Sequence, residues 1–289
     1  MTKKTPPAIE IIDPEMEAIV DRNVEFEQIA SGMQFTEGPV WLPRQQMFVY
    51  SDIPASKMYR WTKADGLSVF RDPSNNANGN TIDNEGRLIT CEHESRRVTR
   101  TEHDGTITVL ADQHKGGKLN SPNDVVVKKD NTIWFSDPPF GLNNRPKEQA
   151  GDYIFRLDPG ATEPVPMDID LVNPNGLCFS PDEQLLYIAE DDFAKQPRIR
   201  RFHVTKENTL TDDGVFTNIT PFCPDGMRVD SAGRMFSTAG DGVQVFRADG
   251  TMIGKFLTPE TTANCCFGGP GGKWFFMTAG TSVWRVALK

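Results

Sequence analysis

Long hydrophobic runs are missing from this sequence of 289 residues. A membrane-spanning helix needs about 18 or more consecutive apolar residues, and no stretch here comes near that length. The segment after Met1 contains two lysines but no apolar core. We therefore expect neither a secretory signal nor a membrane partner.

Cysteine is scarce, and its spacing argues against the usual structural roles. The five cysteines are odd in number, and no two form a C-x-x-C pair. Most lie among apolar neighbours, as in "GLCFS" and "NCCFG". Buried free thiols in a reducing compartment are therefore favoured over disulfides or a zinc–thiolate site, and we expect a cytoplasmic location.

An excess of positive charge is also missing. Asp and Glu outnumber Lys and Arg by 40 to 31, which gives a formal net charge of −9. Nucleic acids and anionic membranes attract basic surfaces, so we expect neither as a partner. The hydrophobic content of 37% is enough for a packed core, and 24 glycines with 21 prolines indicate frequent turns instead of long helices.

What the sequence does contain is a phrase that recurs six times. Each copy has a polar residue, a short apolar strand, a tight turn rich in Asp, Gly or Asn, and a second apolar strand. The copies are "EGPVWLPRQQMFVYSD" from Glu37, "NGNTIDNEGRLITCEH" from Asn78, "NDVVVKKDNTIWFSDP" from Asn123, "NGLCFSPDEQLLYIAED" from Asn175, "DGMRVDSAGRMFSTAG" from Asp225 and "NCCFGGPGGKWFFMTAG" from Asn264. In four copies a turn residue falls eight positions after the first polar residue, at Gly86, Asn131, Gly233 and Gly272.

The spacing of the copies predicts the fold. Their starts are 39 to 52 residues apart, which is the length of a four-stranded propeller blade. Pieces such as "SKMYRWT" and "LSVFRD" supply third and fourth strands. We predict an all-β, six-bladed β-propeller over residues 21–289, with the N-terminal strand in "NVEFEQIA" closing the last blade. Residues 1–20 are expected to form an N-terminal arm outside the core.

The first polar residue of each copy has a defined place in such a fold. The innermost strand of a blade runs along the central channel, so these six side chains are predicted to meet at one mouth of that channel. All six carry oxygen, and none is His or Cys. Asn and Asp also favour turns before strands, although Glu has no such role. The second interpretation, which explains the Glu as well, is that the six side chains are ligands of a hard divalent cation. Ca²⁺ is the first candidate, and Mg²⁺, Mn²⁺ and Zn²⁺ are further candidates.

Second strands return to the same mouth, and several end in ionisable residues. These ends include Glu92 with His93, Asp137, and Glu190 with Asp191, which are expected to form an acidic rim near the cation. Each carboxylate also fits a solvated loop, and His93 fits a structural hydrogen bond. We take Glu92, together with Asn78 and Asn264, as candidates for contact with a substrate. Loops 138–151 and 190–197 are expected to shape the pocket.

Several of these phrases resemble the gluconolactonase and regucalcin (senescence marker protein) family of six-bladed propellers. They include "EGPVW", "LNSPNDVVV", "NPNGLCFSPDE" and "PDGMRVDSAG", within a match from about Phe35 to Trp284. The phrases "SDPPFG" and "CEHESRRVTR" resemble its bacterial gluconolactonase branch. The layout is more distantly similar to the paraoxonases and to squid-type diisopropylfluorophosphatase.

The resemblance implies an activity and its residues. A catalytic divalent metal, often calcium, would be bound by Glu37, Asn123, Asn175 and Asp225. The implied reaction is hydrolysis of a gluconolactone-like sugar lactone to the aldonic acid, in which the metal polarises the ring carbonyl and a carboxylate activates water. Regucalcin-like members have a sugar-contacting Arg two residues before the ligand Asn, where this chain has Ser121, so recognition of the sugar must differ here.

The identity of the base stays open at this point. The resemblance gives the acid/base role to Asp225, but a carboxylate bound to a dication has a lowered pKa and is a weaker base. Asp137 is the second candidate, and Glu92 and His93 are further ones. A non-sugar lactonase or phosphotriesterase with the same metal, and a non-catalytic binding propeller, remain alternative functions.

Overall fold

The chain folds into a six-bladed β-propeller in a computed structural model that describes residues 6–289. The predicted fold class is confirmed. Within the described part, the helices are two short 3₁₀ turns, Pro14–Ala18 and Pro270–Gly272. Neither is long and apolar enough to cross a membrane.

Each blade is an antiparallel sheet whose first strand lies nearest the central channel. The first two strands of the chain, β1 (Ala8–Ile11) and β2 (Glu27–Ser31), join later blades. Blades one and two contain β3 (Thr36–Leu42), β4 (Met47–Asp52), β5 (Lys57–Thr62) and β6 (Gly66–Arg71), then β7 (Ala77–Ile82), β8 (Leu88–Glu92), β9 (Arg97–Thr101) and β10 (Ile107–Ala111). A hairpin of β11 (Gln113–His114) and β12 (Gly117–Lys118) follows.

The remaining four blades repeat this order. Blades three and four contain β13 (Val125–Val127), β14 (Ile133–Asp137), β15 (Tyr153–Leu157) and β16 (Val165–Pro166), then β17 (Pro174–Phe179), β18 (Leu185–Glu190), β19 (Arg198–Val204) and β20 (Leu210–Asn218). Blades five and six contain β21 (Met227–Val229), β22 (Met235–Ala239), β23 (Gly242–Phe246) and β24 (Met252–Leu257), then β25 (Thr262–Gly268), β26 (Trp274–Ala279) and β27 (Ser282–Ala287). The first strands of neighbouring blades contact one another around the full ring.

The ring is closed by the strand that the sequence predicts. Strand β2 pairs antiparallel with β27, with Gln28 opposite Trp284 and Ala30 opposite Val283. It thereby becomes the outer strand of blade six. Closure between the two ends of the chain leaves the ring without a gap between its first and last blades.

The segment before β2 differs from the expectation of an arm outside the core. Strand β1 pairs with β24 as a fifth strand of blade five, and the Met16 side chain is fully buried in a cluster with Phe236 and Phe275. The pattern of four strands per blade gave no reason to expect a fifth. Residues 1–5 of the predicted arm lie outside the described residues.

The turn residues have the backbone conformation that their position in the repeat predicts. Gly86, Asn131, Gly233 and Gly272 all have φ between 68° and 81°. In blade four the eighth position is Glu183, and its φ is 58°. The turn geometry is therefore common to these blades even where the residue is not the usual Gly or Asn.

The core lies between the blades and is rich in aromatic rings. Phe48 of blade one stacks on Phe276 of blade six with ring centroids 4.2 Å apart. Phe236 of blade five lies 5.3 Å from Phe275 of blade six. All five cysteines are free and buried, in accordance with the expectation for thiols in apolar surroundings.

Candidate active site

A cavity of about 330 Å³ opens where the starts of the inner strands meet. This volume lies within the range of ligand pockets, roughly 300–1,000 Å³. Six predicted residues from blades one to five line it, namely Glu37, Asn78, His93, Asn123, Asn175 and Asp225. The repeat thus places these side chains in one cavity, as the sequence predicts.

Irregular inner strands direct the polar side chains to this cavity. The pairing register shifts beside the polar residue in blades one, two, four and six, as it does between Glu37 and Val40. In blades three and five the paired strand begins only at Val125 and Met227, two residues after the polar residue. Such interruptions re-aim a side chain that regular alternation would send into the sheet.

Glycines let the neighbouring inner strands approach closely. Gly38 and Gly176 each follow a polar residue of the repeat. A Cβ atom at Gly38 would lie 1.9 Å from the Asn78 carbonyl oxygen, and one at Gly176 would lie 2.1 Å from the Asp225 carbonyl oxygen. No side chain fits at these distances, so glycine is needed for the polar residues of adjacent blades to converge.

A chain of side-chain hydrogen bonds connects three blades across the cavity. Asn78 Nδ2 lies 3.2 Å from His93 Nε2 and also donates to Asn123 Oδ1. Asn123 Nδ2 donates to Asn175 Oδ1 at 2.9 Å, and Asn175 Nδ2 donates to Asp191 Oδ2 at 3.2 Å. The amide orientations are therefore fixed. Because an amide oxygen has two lone pairs, Asn123 and Asn175 each keep one for a further ligand.

Three carboxyl groups of the cavity carry perturbed pKa values. Burial, with the negative charge of Asp124 as a second cause, raises the pKa of Glu37 to about 7. Burial and then the negative charge of Glu37 raise the pKa of Asp225 well above its ordinary value. Burial also raises the pKa of Asp191 to about 6. These acids are gathered where a positive charge would stabilise their ionised forms.

The pKa of His93 is also perturbed, but it is lowered. Its side chain is buried, and burial together with the positive charge of Arg145 lowers its pKa to about 4. The imidazole is therefore neutral near pH 7. A neutral ring suits the hydrogen bond with Asn78.

The donor set fits a hard divalent cation. Glu37 and Asp225 offer carboxylate oxygens, and Asn123 and Asn175 offer amide oxygens, which are the ligand types that Ca²⁺ takes in proteins. In the described part of the chain, no group of three or more His, Cys, Asp or Glu side chains is arranged to hold a metal ion. The candidate metal ligands in this cavity are therefore two carboxylates and two amide oxygens.

Four of the predicted residues do not line the cavity, and two of them, Glu92 and Asp137, stand at the ends of second strands. Glu92 faces Arg97 across the β8–β9 ladder and accepts a hydrogen bond from its Nε at 2.7 Å. Asp137 is fully buried and accepts from the Asn120 backbone N–H at 2.7 Å, and burial raises its pKa to about 7. Second strands lie one position further from the channel than first strands. The carboxylates of Glu92 and Asp137 therefore accept hydrogen bonds from neighbouring protein groups.

Two further predicted residues have supporting positions. Ser121 Oγ donates to the Pro138 carbonyl at 2.6 Å and accepts from the Gly141 N–H at 2.9 Å, so it fixes the loop after β14. Asn264 Nδ2 donates to Glu37 Oε2 at 2.9 Å. Asn264 therefore holds a predicted metal ligand without lining the cavity itself.

The cavity also contains one of the predicted second-strand ends and several aromatic residues that the repeat does not single out. Asp191, at the end of a second strand, lines it, and its buried Oδ1 has no hydrogen-bond partner among the described residues. Four phenylalanines line it as well, namely Phe35, Phe140, Phe193 and Phe222. Two of them lie in the loops expected to shape the pocket, at 138–151 and 190–197, but their ring positions depend on loop conformation. The alternation of apolar and polar residues in strands does not predict the conformation of a loop.

A groove between blades two and three is larger, at about 440 Å³. Its charged residues are engaged with each other, since Arg87 Nε lies 2.7 Å from Asp83 Oδ2. None of the six repeat residues lines this groove. The convergent polar groups therefore mark the smaller cavity as the candidate active site.

Comparison with known proteins agrees with this architecture. The family model described as SMP-30/Gluconolactonase/LRE-like region matches residues 35–281. A gluconolactonase of Zymomonas mobilis subsp. mobilis is 32% identical over 304 residues, covering 96% of this chain and 85% of that protein. The solved structure of a gluconolactonase from Xanthomonas campestris has a TM-score of 0.91 at 34% identity, covering 99% of this chain and 95% of that one.

A more distant structure shares the fold. A protein from Agrobacterium tumefaciens, named regucalcin and described as calcium-binding, has a TM-score of 0.75 at 18% identity. The superposition covers 92% of this chain and 95% of that one. The family match and the 32% identical relative extend over nearly the whole propeller. The chain belongs to the SMP-30/gluconolactonase/LRE-like family, as the sequence motifs predict.

Proposed function

We propose that this lactone-ester hydrolase opens a gluconolactone-like lactone to the hydroxy acid with the help of a divalent cation, Ca²⁺ first. The observation that carries the proposal is the meeting of two carboxylates and two amide oxygens from four blades in one cavity. The lactone substrate is supported by the names of the Zymomonas and Xanthomonas relatives. Calcium is supported by the description of the Agrobacterium protein.

The cation would be held by Glu37, Asn123, Asn175 and Asp225. When bound, it supplies a positive charge that polarises the lactone carbonyl and stabilises the negative charge formed as water adds. The residues prepare this site in advance. Glu37 is fixed by hydrogen bonds from Asn264 and from the Gly38 N–H, and the two amides by their mutual hydrogen bond. A rigid donor set is what a catalytic site requires.

Two carboxylates of the cavity are available as the general base. One of them takes a proton from the attacking water, the ring C–O bond breaks, and the proton passes to the leaving alkoxide. Asp225 is the first candidate because of the resemblance of "PDGM" to the family. Asp191 is the second, because it lines the same cavity and its Oδ1 lacks a hydrogen-bond partner among the described residues. Asp137 and Glu92 are not proposed, since neither lines the cavity.

His93 is proposed as a positioning residue. Its Nε2 is engaged with Asn78, which in turn donates to Asn123. A neutral imidazole at this place orients the amides and keeps the cavity free of an additional positive charge.

The proposal is tested by hydrolysis of glucono-δ-lactone in a pH-stat, with purified protein before and after treatment with a chelator. We expect the rate above spontaneous hydrolysis of the lactone to disappear when the metal is removed and to return when Ca²⁺ is added. Elemental analysis of both samples establishes the metal content. Undiminished turnover by protein with no detectable metal would refute the metal-dependent reaction.

A further inference from the structure

The cavity has an apolar wall that the proposed chemistry does not use. Of 18 phenylalanines in the chain, four are more than one third exposed among the described residues, and all four line this cavity. Phe193 and Phe222 are each 61% exposed, with ring centroids 5.8 Å apart. Exposed rings gathered at one cavity mark a place where an apolar ligand is bound.

Phe222 is held at the cavity by its backbone. Its φ is 68°, a conformation that is unfavourable for a bulky side chain. The two carbonyls before it are fixed by hydrogen bonds at 2.8 Å, from Gln244 Nε2 to Thr220 and from the Gly240 N–H to Pro221. A strained aromatic residue that also stays exposed does not serve folding stability, which points to a role in ligand contact.

The polar side of the cavity is limited to the proposed metal centre and its neighbours. Among the described residues that line it there is no Lys, Arg, Ser, Thr or Tyr. Its three carboxyl groups are those of Glu37, Asp191 and Asp225. An anionic substituent would meet no cationic side chain here, and a row of hydroxyl groups would find few partners beyond the residues around the metal.

We infer that glucono-δ-lactone is hydrolysed but not preferred, and that the preferred substrate is an uncharged lactone whose ring bears an apolar substituent, which Phe193 and Phe222 bind. The inference rests on the proposed function, because the lactone carbonyl must reach the metal centre. The rings then contact the substituent while the ester is oriented toward Glu37 and Asp225. Full burial of one methylene group favours binding roughly fourfold, so a short alkyl chain gives a measurable preference.

The test compares three lactones on the calcium-loaded protein in a pH-stat. They are δ-valerolactone, its 5-pentyl derivative and glucono-δ-lactone. We expect kcat/KM for the pentyl lactone to exceed that for δ-valerolactone at least tenfold. Equal values, or a clear preference for glucono-δ-lactone over the pentyl lactone, overturn the inference. This comparison needs no variant.

Two variants assign the preference to the rings. Phe193→Ala and Phe222→Asn should each lower the ratio of kcat/KM for the pentyl lactone to kcat/KM for δ-valerolactone at least threefold. Asn is chosen at position 222 because it tolerates positive φ. Leu67→Ala, on β6 and 39% exposed, is the matched control and should change nothing. An equal loss on all three lactones, or the same change in the control, overturns the inference. If no lactone is hydrolysed at all, the proposed function itself has failed.

Discussion

Glu37 combines a fixed geometry with a perturbed charge. Its Oε2 accepts hydrogen bonds from the Gly38 N–H and from Asn264 Nδ2. Its pKa is about 7 where the ordinary value is 4.5, mainly because the group is buried. In the metal-free protein, ionisation of this acid therefore destabilises the folded state.

Replacement of Glu37 by Gln should separate stability from metal binding. Between pH 4.5 and about 7 the folded state keeps a proton that the unfolded chain has lost, so metal-free stability falls as pH rises through this window. Glu37→Gln removes this loss. At pH 8 the metal-free variant should be more stable than metal-free wild type by up to about 3 kcal/mol, with little difference at pH 4.5. Urea denaturation at both pH values measures this.

Calcium affinity should fall in the same variant, although its metal-free stability at pH 8 rises. Loss of an outer-shell partner costs roughly 10- to 100-fold in metal affinity, and loss of a charged ligand should cost at least as much. Isothermal titration of calcium gives the value. An unchanged dissociation constant would remove Glu37 from the proposed ligand set.

The base is assigned by a pair of matched variants. Asp225→Asn and Asp191→Asn both replace a cavity carboxylate by a neutral amide of the same shape. With calcium at saturation, Asp225→Asn should lower kcat by about 10²- to 10⁴-fold, the usual contribution of a general base, whereas Asp191→Asn should lower it less than tenfold. The reverse result, with bound calcium verified in each variant, transfers the base role to Asp191.

At the level of strands, the sequence predicts where the inner strands begin but not the register in which they pair with their neighbours. The six polar starts, the blade length and the turn at Gly86 follow from hydrophobic pattern and turn chemistry, which are local properties. The register shift beside Glu37 is not local, because it depends on the contact between Gly38 and the backbone of Asn78 in the next blade. Glu92 does not line the cavity, because its carboxylate is paired with Arg97 across the sheet, and this partner is not evident from the local pattern.

The close contact between blades four and five gives a prediction at this scale. Gly176→Ala would place a Cβ 2.1 Å from the Asp225 carbonyl oxygen, so the two inner strands must separate. Overpacking of this kind costs about 1–3 kcal/mol or more, and we expect the upper end because the neighbour is backbone. Calcium affinity should also fall at least about tenfold, as for a lost outer-shell partner. Thermal unfolding and calcium titration check both.

Gly160→Ala is the control for this substitution. Gly160 has φ of 77° and no atom within 4 Å of an added Cβ, so this variant loses stability through backbone strain, which Gly176 does not have, and without any clash between strands. It should lose about 1–2 kcal/mol of stability and keep its calcium affinity. If Gly176→Ala binds calcium as tightly as this control, the glycine contact does not position Asp225.

At the level of the whole molecule, the ring is closed by segments from both ends of the chain. Strand β2 pairs with β27, and the segment before it covers the junction of blades five and six. The Lys289 backbone N–H donates to the Ile19 carbonyl at 2.9 Å, which joins the C-terminus to this segment. The sequence predicted the closing strand from the strand-like pattern of "NVEFEQIA". It did not predict the cover, because the burial of Met16 requires a surface that exists only once two blades have packed.

The N-terminal cover should therefore contribute to the stability of the entire ring. Met16 is fully buried against Phe236 and Phe275, and its truncation to Ala leaves a cavity that costs about 2–5 kcal/mol. Because the cover contacts blades five and six together, unfolding should remain a single transition at a lower urea midpoint. Ile12→Ala, at a side chain 50% exposed, should cost less than about 0.5 kcal/mol. Equal stability of the Met16 and Ile12 variants would return this segment to the role of an arm outside the core.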